Sequence, residues 1–125
     1  MWVKYNDNPA AVQTTDCTTR AIGVALNIPW EEAYTRLAAA GFAMGLVPLD
    51  SDWLWGSVLR QEGFRRYLSP DCPECYTVKE FCKEHPYGVY VLKVPSHVLA
   101  VVNGEYYDSW DSGNEYVIYY WTKEN

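Results

Sequence analysis

The stretch Ser96-His97-Val98-Leu99-Ala100-Val101-Val102-Asn103-Gly104-Glu105-Tyr106-Tyr107-Asp108 decides how the rest of the chain is read. Asn103-Gly104 is the signature of a two-residue type I′ turn, because both central residues of that turn need φ > 0. So short a loop sets the register: Val102 opposite Glu105, Leu99 opposite Asp108 and His97 opposite Trp110. Side chains alternate along a strand, and paired residues share a face. His97, Leu99, Tyr106, Asp108 and Trp110 are therefore expected on one face, with diagonal neighbours about 7–8 Å apart. The hairpin presents a histidine to an aspartate. The remaining question is which nucleophile faces them.

Upstream, Asp16 stands as an N-cap before Cys17, Ala21, Val24, Ala25 and Ile28, the spacing of one helix face. Cys17 is thus expected in the first turn of a helix. Pro29 stops that helix and opens a second at Trp30-Glu31-Glu32, which should end at Gly41. Asp50 or Ser51 caps a third through Trp53, Leu54, Val58 and Leu59 to Gly63, and Phe64–Leu68 reads as a short strand. Thr77 and Glu80 form a capping box before a short fourth helix that ends near His85-Pro86. Strands follow at 89–94, 97–102, 105–108 and 116–121. Helices first and an antiparallel meander second predict one α+β domain over residues 1–125, with the helices packed on one face of the sheet.

Composition narrows the function classes. The net charge of −6 provides no basic stripe for nucleic acid, so no nucleic-acid partner is expected. No apolar run approaches the length of a membrane span, and residues 1–7 lack the charged and apolar regions of a secretory signal, so a cytoplasmic location is expected. Thiols stay reduced there, and the four cysteines are then catalytic, metal-binding or structural and do not form a disulfide framework.

Cys17 carries the chemistry. A thiol attacks as thiolate, and both a helix N-terminus and a neighbouring imidazolium favour that form. His97 supplies the imidazole, and Asp108 holds it in one tautomer, as the third member of a triad does. The oxyanion of an acyl-transfer intermediate needs donors. The Cys17 backbone N–H is one and Gln13 the best side chain, with Asn8 the alternative. Asp111 competes with Asp108, but the hairpin register puts it on the opposite face if the strand continues, and Ser112-Gly113 signals a turn there. Trp110 and Tyr106 are candidate walls of a substrate groove, although either also suits a core.

A Cys at a helix start, a His opening a strand and an Asp on the next strand is the order of papain-like cysteine hydrolases, which the chain resembles over roughly residues 13–121. Asp16-Cys17-Thr18-Thr19-Arg20-Ala21 is similar to the Asp-Cys-x-x-Arg-Ala segment of small bacterial and phage papain-like proteins, and Tyr107-Asp108-Ser109-Trp110-Asp111 to their strand after the histidine. Bacteriocin-leader peptidases are similar in having Asp before the cysteine and a Gln upstream. The resemblance implies a papain-like fold, a thiol peptidase or amidase activity, a peptide or protein substrate and no cofactor. The Gly-rich, Trp-containing segment of the large papain enzymes is absent.

Two other readings fit the same residues. One is a catalytically silent binding protein on that fold, capturing a host or cellular partner. The other is a zinc-stabilised interaction module, because Cys72, Cys75, Cys82 and His85 form an adequate tetrahedral set. Cys82 and His85 also suit plain roles, a small apolar core residue and a cap on the last helix carbonyls.

Overall fold

A computed structural model describes residues 1–10, 16–46, 51–69 and 76–123. Strand β1 (Trp2–Lys4) precedes helices α1 (Cys17–Leu26), α2 (Trp30–Met44) and α3 (Asp52–Gln61). Strand β2 (Arg65–Leu68), helix α4 (Val78–Glu84) and strands β3 (Val89–Val94), β4 (His97–Val102), β5 (Glu105–Asp108) and β6 (Tyr119–Thr122) complete the described elements. The α+β class holds.

The hairpin forms in the expected register as far as Ala100 and Tyr107, and the expected pairs Leu99–Asp108 and His97–Trp110 lie beyond the paired residues. Val102 pairs with Glu105 and Val101 with Tyr106, around Asn103 at φ 49° and Gly104 at φ 77°. The wider sheet departs from a meander. Its order is β1-β5-β4-β3-β6-β2, so β6 lies against β3 and not against β5. It is also mixed and not purely antiparallel, because β1 runs parallel to β5, with Val3 opposite Tyr107.

The helices do not share one face, which corrects the one-sided packing expected from the sequence. Ile22, Leu37, Leu54, Trp55 and Leu59 of α1–α3 pack with Val91, Val98, Ala100 and Trp121 on one side. Val78 and Phe81 of α4 pack with Leu92, Val94, Leu99, Val101 and Tyr106 on the other. The reason is visible in β4 itself. Val98-Leu-Ala-Val-Val102 is a continuous apolar run, the pattern of a strand covered on both sides, and residues 97–101 are all buried. Leaving one side bare would forfeit about 1.5–3 kcal/mol for each large aliphatic side chain exposed.

Helix α2 also runs past its expected stop at Gly41. That glycine is buried within the helix, and Gly45, at φ 67°, ends it. The Leu46 N–H then closes back on the Gly41 carbonyl at 2.9 Å, as in a Schellman cap.

Candidate active site

Three elements begin or end at one place. Helix α1 starts at Cys17, β4 starts at His97 and β5 ends at Asp108. By strand parity His97 and Asp108 belong with Leu99, Val101 and Tyr106 on the α4 side. Cys17 packs with the helical cluster on the opposite side. They meet because all three are terminal residues at the end of the sheet, where the strands no longer separate the two layers. The turn that delivers His97 is tight. Pro95 and Ser96 join β3 to β4, and Ser96 takes φ 57°, a region unusual for serine.

Nε2 of His97 lies 2.6 Å from Oδ2 of Asp108. That leaves Nδ1 for Cys17. The thiol is drawn in two directions. Burial pushes its pKa up, but a hydrogen bond to His97, a hydrogen bond to the Val98 backbone and the charge of His97 together bring it below the ordinary thiol value. For His97, burial disfavours the charged ring, while Asp108 and Cys17 favour it, and the balance raises the ring to about 9. Both shifts favour the same pair, a thiolate beside an imidazolium.

Behind the aspartate lies a polar network in which the sequence reading assigned no role to Arg20 or Ser112. Asp108 is 1% exposed. Its Oδ2 also accepts from Ser112 Oγ at 2.6 Å, and its Oδ1 from the Ser109 N–H at 2.9 Å and from Arg20 Nη2 at 3.3 Å. Arg20, itself buried, donates from Nη1 to Asp16 Oδ1 at 2.6 Å. Asp16 occupies the N-cap position as expected, but its side chain makes no capping bond. Instead Oδ2 accepts from Trp30 Nε1 at 3.0 Å and Asn8 Nδ2 at 3.3 Å. Two carboxylates against one guanidinium leave one negative charge over, which favours a proton on His97. The clue in the sequence was Arg20 at i+4 from Asp16, on a helix with few other polar residues.

The remaining predicted residues divide. Trp110 is half-exposed and its ring lies 4.9 Å from that of His97, placing it at the site. Tyr106 is not a groove wall. It is 2% exposed, sits in the α4-side core and donates to Asp111 Oδ1 at 2.6 Å, so burial and that carboxylate raise its pKa. Asp111 is correspondingly a turn residue away from His97. Gln13 lies outside the described residues. Asn8 is committed to Asp16 and, through Oδ1, to the Ala10 N–H at 2.8 Å. The Cys17 N–H, first in its helix, has no intrahelical acceptor and remains suited to an oxyanion.

Of the possible zinc set, Cys72 and Cys75 lie outside the described residues. Cys82 is buried in the α4-side core. His85 caps α4, with Nδ1 2.9 Å from the Phe81 carbonyl and its ring stacked on Phe81. Among the described residues no group of three or more His, Cys, Asp or Glu side chains is placed to hold a metal, and no helix is long and apolar enough to cross a membrane.

Comparison of the chain with family models, with curated proteins and with solved structures finds no match in any of the three.

Proposed function

We propose that the chain is a papain-like cysteine hydrolase that cleaves an amide bond in a peptide or protein. The observation that carries this is the helix-start thiol of Cys17 coupled to His97, whose far nitrogen is held 2.6 Å from buried Asp108. In this reading the Cys17 thiolate attacks the carbonyl carbon, and the oxyanion that forms is met by the Cys17 N–H and Gln13. The imidazolium gives its proton to the leaving amine as the C–N bond breaks, which leaves an acyl thioester. Water then attacks the thioester. His97 takes the water's proton, the C–S bond breaks with the sulfur leaving as thiolate, and the acid is released with the resting thiolate–imidazolium pair restored. Asp108 orients the ring throughout. Arg20 and Ser112 hold Asp108, and Trp110 shields His97 beside the substrate. A reducing compartment such as the cytoplasm suits a free catalytic thiol.

The test is turnover of fluorogenic peptide amides together with intact-mass detection of an acyl-enzyme. Wild-type protein is expected to form the adduct on Cys17 and to turn over, and Cys17→Ala to do neither. A wild-type chain that alkylates selectively at Cys17 yet hydrolyses neither amides nor activated esters is instead the silent binding protein.

A further inference from the structure

A cavity of about 270 Å³ lies between α3 and the β6–β2 edge of the sheet. Six of its residues matter: Asp52, Trp53, Arg60, Arg66, Tyr119 and Trp121. The two guanidiniums are held by aromatic faces, Arg60 5.3 Å from the Trp121 ring centroid and Arg66 5.2 Å from that of Tyr119. Such stacking orients a guanidinium without neutralising it. Neither arginine has a carboxylate partner among the described residues. The carboxylate in the cavity is already engaged. Asp52 accepts from Trp55 Nε1 at 3.1 Å and from the Tyr119 hydroxyl at 3.0 Å, and Lys93 Nζ stands 3.7 Å away. Two positive charges are thus left over, on a chain whose net charge is −6.

The indole of Trp121 forms one wall of this cavity. Trp121 is 3% exposed, and its indole N–H is buried with no hydrogen-bond partner. Gly56 makes room for that ring. A Cβ there would stand 2.9 Å from Trp121 Cζ2, so any larger residue would displace the indole.

The cavity is near the thiol by register. Tyr119 pairs with Lys93, and Lys93 with Val98, so the three form one row across the sheet. Tyr119 and Val98 both pack with the α1–α3 cluster, the cluster that Cys17 joins. The Val98 backbone is among the groups that favour the Cys17 thiolate. Two strand spacings put Tyr119 about 10 Å from Val98, the span of about three residues of extended peptide.

We propose that this cavity is a carboxylate-reading subsite of the thiol site, taking an acidic side chain about three residues from the scissile amide of a peptide substrate. The inference rests on the hydrolase reading for its substrate and on the Arg60–Arg66–Trp121 arrangement for its specificity. The guanidiniums meet the carboxylate, and the exposed ring of Trp53 covers the aliphatic stem.

The test uses acetylated poly-alanine hexapeptide amides carrying one glutamate, moved through all six positions, each matched to its glutamine counterpart. Binding is measured on Cys17→Ala protein by calorimetry and by the Trp121 indole N–H resonance, so turnover is not required. At least one glutamate peptide should bind about tenfold or more tightly than its glutamine match and shift that resonance. Arg60→Gln combined with Arg66→Gln, both exposed positions, should erase the preference. Equal binding of the matched peptides, or a preference that survives the double substitution, overturns the proposal. Cleavage by wild-type protein without glutamate preference removes the subsite and keeps the hydrolase. Arginine-dependent glutamate preference without any cleavage keeps the carboxylate site and removes the hydrolase.

Discussion

Two regions of this molecule each hold a cysteine near a histidine, and they differ in almost every other respect. At the end of the sheet, Cys17 and His97 are joined by mutual interaction and backed by Asp108. At the end of α4, Cys82 and His85 are set in an aromatic core. Burial disfavours the charged form of both thiols. At Cys17 it is outweighed by His97 and the Val98 backbone, and the pKa falls. At Cys82 nothing comparable opposes burial, and the thiol is pushed up to about 11. The histidines divide in the same way. His97 places one nitrogen on a carboxylate and turns the other to a thiol. His85 spends Nδ1 on a main-chain carbonyl and lays its ring flat on Phe81. Residue types do not make a reactive pair. A balancing charge behind the imidazole does.

The sharpest way to break this contrast is to remove the charge behind His97. Asp108→Asn keeps the side-chain shape but exchanges a carboxylate for an amide, and turnover should fall by about 10³–10⁴-fold, measured as kcat on an amide substrate. A loss of only a few fold would mean that Asp108 is not the orienting group. Alkylation compares the two cysteines directly. With iodoacetamide at neutral pH and site mapping by mass spectrometry, Cys17 should react at least about a hundredfold faster than Cys82, whose thiolate is scarce and buried. Comparable rates would erase the distinction.

Arg20 tests whether the network is a structural unit. Arg20→Leu leaves Asp16 and Asp108 buried without their shared counter-charge, and stability to urea should drop by about 3–5 kcal/mol. A smaller effect follows from His97 itself, whose folded pKa of about 9 exceeds its ordinary 6.5. In the wild type the raised pKa of His97 and the lowered pKa of Cys17 act on stability in opposite directions as pH changes. Cys17→Ala uncouples them. A raised pKa stabilises the fold fully below the unfolded value, so this variant, which keeps the Asp108 share of the shift and loses the Cys17 share, should lose stability as pH rises above about 6.5. The slope should vanish when Asp108→Asn is added. The smallest effect belongs to the other region. His85→Gln removes one cap and one stacked ring, and should cost about 1 kcal/mol in thermal unfolding without altering Cys17 alkylation.

Much of the site was legible because it depends on neighbours in sequence. The Asn103-Gly104 turn sets which residues of the hairpin face each other, and that separated Asp108 from Asp111. A helix beginning after Asp16 placed Cys17 in its first turn. The errors share a cause. Asp16 was read as a capping side chain, the locally obvious role, but packing against Trp30, Asn8 and Arg20 gives its carboxylate stronger partners. Tyr106 was read as a possible groove wall because parity set it beside Asp108, and parity says nothing about what covers a face. Helix α4 covers it.

The sequence by itself determined the turn, the hairpin register, the class of the fold and the helix start that presents Cys17, because each follows from backbone preferences over a few residues. The tertiary structure alone decided that β6 pairs with β3, that α4 packs opposite α1–α3, and that Arg20 reaches Asp108 across 88 residues of chain. Those outcomes depend on which apolar faces bury one another and on which buried charges must then find partners. No short stretch of sequence encodes either.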